Sequence, residues 1–149
     1  FLYSLVMDTY SFGYSSSGFT DMPMNHKVFL AQFDAIKKLA SEGPCVMVGR
    51  CADYALAEYK DCFSVFVHAD TDWRINRLSQ KHNKTAKEAK DMINKTDKSR
   101  SSYYNYYTNK KWGAASSYNL CVDSSKLGID GAAKAIIQAI EIFDSIKNK

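Results

Sequence analysis

Arg74 and Arg77 stand three residues apart, a spacing that puts two guanidiniums on one face of a helix. Two arginines so placed can grip phosphate oxygens through paired N–H bonds. A second group, Asp97 with Lys98 and Arg100, sets cations beside a carboxylate. Each group taken alone is better explained by a lattice of intrahelical ion pairs. Together they flank a single basic stretch: residues 74–111 carry eleven Lys or Arg against Glu88, Asp91 and Asp97. An excess of that size calls for an anion, whether a phosphate, a nucleic acid or an acidic surface, unless the stretch is simply a solvated helical face. A third group is Arg50 and Asp53, which follow the apolar run 45–48 and Gly49. If that run is a buried strand, both residues lie beyond its carboxyl end, where open α/β sheets gather ligands. The competing reading makes them a surface arginine and a helix-capping aspartate.

Other chemistries find less support. Cys45, Cys51, Cys62 and Cys121 show neither CxxC spacing nor a histidine at zinc-ligand distance. They read as free thiols of a reducing compartment, which points to the cytoplasm, and no metal site is assigned. His26, His68 and His82 lie far apart with no nucleophile signature beside them, and His68, at a strand end, reads as structural. Tyr103, Tyr104, Tyr106 and Tyr107, interleaved with a basic stretch, could stack on bases, but their helical spacing fits a packing surface better. No apolar run is long enough to span a bilayer, and the first residues lack the basic flank and cleavage site of a signal peptide.

The elements that must position these residues follow from periodicity. Residues 1–12 carry apolar positions at helical spacing, and 13–25 read as a loop rich in Gly and Ser. Leu30, Phe33, Ile36 and Leu39 predict an amphipathic helix closed by Gly43 and Pro44. Strands are predicted at 45–48, 63–68 and 118–122, with an Ala-rich helical turn over 52–59. Asp70 to Asp72 offer N-caps for the helix carrying Arg74 and Arg77. Residues 84–111 are polar and helix-prone, and Gly128 with Asp130 introduces a last helix bearing Ile136, Ile137, Ile140 and Phe143. At 149 residues this is a single α/β domain with a mostly parallel sheet.

Three segments occur in an order that resembles a known family: GPCVMVGRCADY at 43–54, FVHADTDWRINRL at 66–78, and DKSRSSYYNYYTNKKWGAASSYNLCVDSSKLGID at 97–130. They are similar to the cytidylate-kinase-like branch of the P-loop nucleoside monophosphate kinases, over about residues 26–143. The resemblance implies a three-layer α/β/α sheet with a helical lid over 80–111. It implies ATP-dependent phosphoryl transfer to a small phosphorylated acceptor, with ATP and Mg²⁺ as cofactors and small nucleotides as partners. Arg50 would bind the acceptor's phosphate and Asp53 its sugar or base. Arg74, Arg77 and Arg100 would act on the transferring phosphates, Asp97 would help close the lid, and Ser124, Ser125 and Lys126 would border the nucleotide base. In cytidylate kinases proper the acid adjoins the arginine, whereas here Cys51 and Ala52 intervene.

The sequence contains no GxxxxGK[ST] loop, so it lacks the phosphate cradle and its lysine. In the family's sheet the strand feeding that loop lies between those assigned to 45–48 and 63–68. The expectation is therefore a fragment whose missing strand comes from an upstream segment or another chain. Rival readings are a nucleotide-sensing domain without catalysis and a nucleic-acid binder using 74–111.

Overall fold

A computed structural model describes residues 24–147, which fall into two units divided after Cys62. The predicted helix at 1–12 lies outside the described residues, as does most of the loop at 13–25.

In the first unit, helix α1 (Met24–Glu42) forms where the apolar spacing predicts. Ile36 is buried with Ala55 and Leu56, and Phe33, Ala40, Met47, Ala52 and Cys62 pack around them. Lys37 places its ammonium 4.7 Å from the Phe33 ring centre, so its stem stays with the apolar face while its charge faces the ring. Gly43, with φ 149°, ends the helix in a conformation that side chains rarely adopt. Residues 45–48 form no strand, which corrects the sequence reading, and Val46 and Val48 are 94% and 87% exposed. The reason is physical: an apolar run becomes a strand only by pairing, and no neighbour for it exists among the described residues. The helical turn expected over 52–59 is shorter, as α2 (Ala52–Ala55).

The second unit is built on two parallel strands, β1 (Val65–His68) and β2 (Leu120–Asp123), paired Val65 to Leu120 through His68 to Asp123. Below the ladder, Ser64 N–H and Oγ both donate to Asn119 Oδ1 at 2.8 Å, and Asn119 N–H returns a bond to Ser64 O at 2.9 Å. Between the strands run α3 (Thr71–His82) and α4 (Ala86–Thr108), packed on each other, then a single 3₁₀ turn at Ala115–Ser117. The last helix, α5 (Ser124–Lys147), packs on both strands. Its first turn is separated from the rest by Gly128, at φ 69° and ψ 174°. The described fold is thus a mixed α/β arrangement, mostly helical, around a two-stranded parallel sheet. Two of the three strands of the sequence reading are formed, at Val65–His68 and Leu120–Asp123; the third strand and the three layers are not formed among the described residues.

The cluster that replaces a larger core here is aromatic. Phe66 of β1 meets Trp112 edge-on at 5.3 Å and Tyr118 at 5.0 Å, and Tyr118 stacks on buried Tyr104 at 6.3 Å. Gly113 lies against the Phe66 ring so closely that a Cβ there would stand 3.1 Å from Phe66 Cζ. Asn105 Oδ1 accepts from Trp112 N–H at 2.7 Å and fixes the indole's backbone. Tyr104 is therefore core, and Tyr103 and Tyr107 pair with each other at 4.8 Å. No described helix is long and apolar enough to cross a membrane.

Candidate functional site at the carboxyl ends of the parallel strands

The strongest polar arrangement in the second unit joins α3 to α4. Arg74 Nη1 donates to Asp97 Oδ2 at 2.6 Å and Nη2 to Oδ1 at 2.8 Å, a two-point grip between half-buried side chains. The carboxylate raises the arginine's already high pKa, chiefly through the hydrogen bonds. Arg74 thus meets a protein carboxylate, where the sequence reading reserved its guanidinium for a phosphate. Two of its five N–H donors serve the pair, so the cation is oriented rather than exhausted.

Arg77, exposed, lies over the Trp73 ring at 5.5 Å, and Arg100 is exposed on α4. Both sit on the helices that Arg74 and Asp97 bind together. In the first unit, Arg50 is exposed at φ 56° and begins a left-handed passage shared with Cys51. Such a conformation is uncommon for residues with a side chain, and Gly49 O accepts from Ala52 N–H at 3.1 Å to close the turn. Asp53 lies in the first turn of α2, two residues beyond the N-cap position, which Cys51 occupies. Cys51 is buried, and burial first and Asp53 second push its thiol up to about 11.

At the carboxyl ends of β1 and β2 the turn 123–126 closes onto the start of α3. Ser124 Oγ donates to His68 O at 3.0 Å. Asp123 Oδ1 accepts from Ser125 N–H at 2.8 Å and from Ser125 Oγ, and the hydroxyl holds that carboxyl below its ordinary value. Ser125 Oγ in turn accepts from Asp70 N–H at 3.2 Å. Lys126 Nζ lies 2.9 Å from Asp70 Oδ2, which raises the lysine's pKa. Asp70 occupies the N-cap position of α3, as its sequence position suggested, but its side chain makes no cap bond and serves Lys126 instead. Sequence reasoning missed that pairing, since the partners lie 56 residues apart and meet only through the parallel register. Among the described residues no cluster of three His, Cys, Asp or Glu could hold a metal ion. All four cysteines are free thiols, as expected from their spacing.

These positions fall within a recognised pattern. A model of the cytidylate kinase-like family matches residues 1–126, which takes in every candidate site residue from Arg50 to Lys126. A solved structure, that of an uncharacterized protein from Eubacterium ventriosum ATCC 27560, is 32% identical, with a TM-score of 0.76 over 83% of this chain and 70% of that one. No curated protein matches. A family match over most of the chain, joined to a related structure of the same fold, makes this protein a member of the cytidylate kinase-like family.

Proposed function

We propose that the protein is a nucleotide-kinase-like phosphotransferase that moves the γ-phosphoryl group of ATP to a small phosphorylated acceptor, such as a nucleoside monophosphate. The observation that carries this reading is the Arg74–Asp97 grip, which fixes a permanent cation on a hairpin that also bears Arg77 and Arg100. Phosphoryl transfer is catalysed mainly by positioning and by neutralising charge on phosphate oxygens, so preset guanidiniums are the machinery it needs. In this reading Arg74, Arg77 and Arg100 face the transferring group, and α4 with its flanks forms a lid that excludes water. Arg50 takes the acceptor's phosphate and Asp53 its sugar or base. Ser124, Ser125 and Lys126 lie near the nucleotide base, and the working protein is cytoplasmic with the three-layer P-loop sheet of its family. Mg²⁺ would supply charge neutralisation to the phosphates, and among the described residues no cluster of His, Cys, Asp or Glu is built to hold it.

The second reading is a nucleotide-sensing domain without turnover. It is favoured by one observation, the absence of a GxxxxGK[ST] loop from the sequence. The test is ADP release from ATP by the full-length protein across a panel of nucleoside monophosphates and other small phosphorylated acceptors. Acceptor-dependent turnover supports the kinase. ATP binding with no turnover on any acceptor gives the domain to sensing.

A further inference from the structure

We infer that Ser125 is a positioning residue for Arg74, so that the turn closing β2 sets the arginine that would face the phosphoryl group. This rests on the kinase reading for its kinetic consequence, whereas the geometry stands without it. The bonds form one continuous chain. Asp123 Oδ1 accepts a hydrogen bond from the Ser125 hydroxyl, which leaves the hydroxyl oxygen's lone pairs to accept Asp70 N–H at 3.2 Å. Asp70 O then accepts Arg74 N–H at 3.0 Å, the bond that opens α3. Arg74 ends the chain on both oxygens of Asp97.

Two further ties hold the same joint. Ser124 Oγ anchors His68 O at 3.0 Å, and Lys126 Nζ anchors the Asp70 carboxylate at 2.9 Å. The start of a helix fixes its axis, and Arg74 lies one turn from that start, so an error at Asp70 reaches the guanidinium almost undamped. Misplacement of a catalytic group by an ångström can cost on the order of a hundredfold in rate. Ser125 therefore has a role separate from contact with a base: a base-contact residue governs nucleotide affinity, a positioning residue governs turnover.

The experiment uses the full-length protein with Ser125→Ala and Ser125→Thr. Guanidinium ¹⁵N–¹H signals of Arg74, assigned by their loss in Arg74→Lys, report its two-point grip directly. Ser125→Ala should broaden or shift those signals and lower kcat about tenfold or more at nearly unchanged KM for ATP. Ser125→Thr, which keeps the hydroxyl, should restore both. Unchanged Arg74 signals in Ser125→Ala overturn the proposal, as does a rise in KM with kcat intact, the mark of a base contact. If the wild type shows no turnover, the kinase reading fails by itself, and the Arg74 signals with threonine rescue still decide the positioning role. Should Ser125→Ala not fold, Asp123→Asn, which keeps the shape and weakens the acceptor, takes its place with the same expectations.

Discussion

Arg74 and Asp97, 23 residues apart in sequence, meet through two bonds of 2.6 and 2.8 Å and so bind α3 to α4. A lysine cannot reproduce this contact, because an ammonium presents a point charge where the guanidinium presents a planar fork. Arg74→Lys should cost about 1 kcal/mol or less in stability, since the pair is only half-buried. Turnover should fall far more, by a factor of ten to a hundred, as for any group whose charge matters chiefly in the transition state. Urea melts and steady-state kinetics on the same variant separate the two effects. Equal small losses in both would make the pair a structural tie only.

Arg77 and Arg100 are exposed, so Arg77→Ala and Arg100→Ala should leave the melting temperature nearly where it was. In an active full-length protein each should lower kcat by at least about tenfold, with smaller changes in KM. If turnover survives both substitutions, the two arginines belong to the solvated face of the hairpin.

Acid should loosen α4 from its first turn. Glu88 Oε2 accepts from Thr85 N–H at 2.8 Å and Thr85 Oγ1 accepts from Glu88 N–H at 3.3 Å, a reciprocal cap. The Thr85 backbone bond, more than any other contact, holds the Glu88 carboxyl below its ordinary 4.5. A depressed carboxyl stabilises the fold above its ordinary value, and the benefit is lost as pH falls through the depressed one. Amide exchange at Glu88 and Ala89 should therefore quicken below about pH 4.5 relative to the far end of α4. Glu88→Gln, which removes the titrating carboxyl and keeps the side chain's shape, should abolish the difference. A uniform response along the helix would reject the cap as its cause.

Gly113→Ala tests the aromatic cluster. The new methyl would sit 3.1 Å from Phe66 Cζ, at a backbone φ of 75° that disfavours any side chain. Strain and overpacking together should cost about 2–4 kcal/mol. Trp112, packed on the same ring, should report the loss as an earlier fluorescence transition on melting. A variant as stable as wild type would mean that Phe66 swings aside at little cost.

Thiol chemistry should separate Cys45 from Cys51. Cys45 is exposed, whereas Cys51 is buried and its thiol is pushed up to about 11, so little thiolate forms near neutrality. A disulfide reagent at neutral pH should modify Cys45 quickly and Cys51 only on the timescale of local opening. The stability Cys51 gives to its unit is intact below its ordinary 9.0 and should decline as pH rises toward 11. Comparable labelling rates would show the first unit to be open.

Local signals in the sequence were reliable where a single element decides the outcome. The spacing of Phe33 and Ile36 gave α1, Asp70 marked the start of α3, and Gly128 divides α5 where the sequence introduced its last helix. The strands at 63–68 and 118–122 appear as Val65–His68 and Leu120–Asp123. The run 45–48 misled because apolar composition cannot tell a strand from a segment awaiting a partner, and Val46 and Val48 remain in solvent. At the candidate site, Arg74 and Asp97 were both legible as residues that could meet an anion or a cation. Their bond to each other was not, for it depends on how α3 packs on α4. Asp70 and Lys126 were hidden for the same reason, since only the register of two parallel strands brings them together.

The bonds that tie Ser64 to Asn119 and Ser124 to His68 have a consequence for the order in which the second unit forms. They close the same excursion of the chain at its two ends, the partners standing 55 and 56 positions apart in sequence. Closing so long a loop is entropically costly until its contents are compact, whereas α3 and α4 contact each other across a short turn. The helical hairpin should therefore assemble early, with the Arg74–Asp97 grip already made, and shorten the effective distance between the strand segments. The parallel ladder then zips last, which makes the turn at 123–126 among the final parts of the second unit to acquire its structure. In kinetic terms, weakening the ladder should mainly speed unfolding, and weakening the hairpin should mainly slow folding.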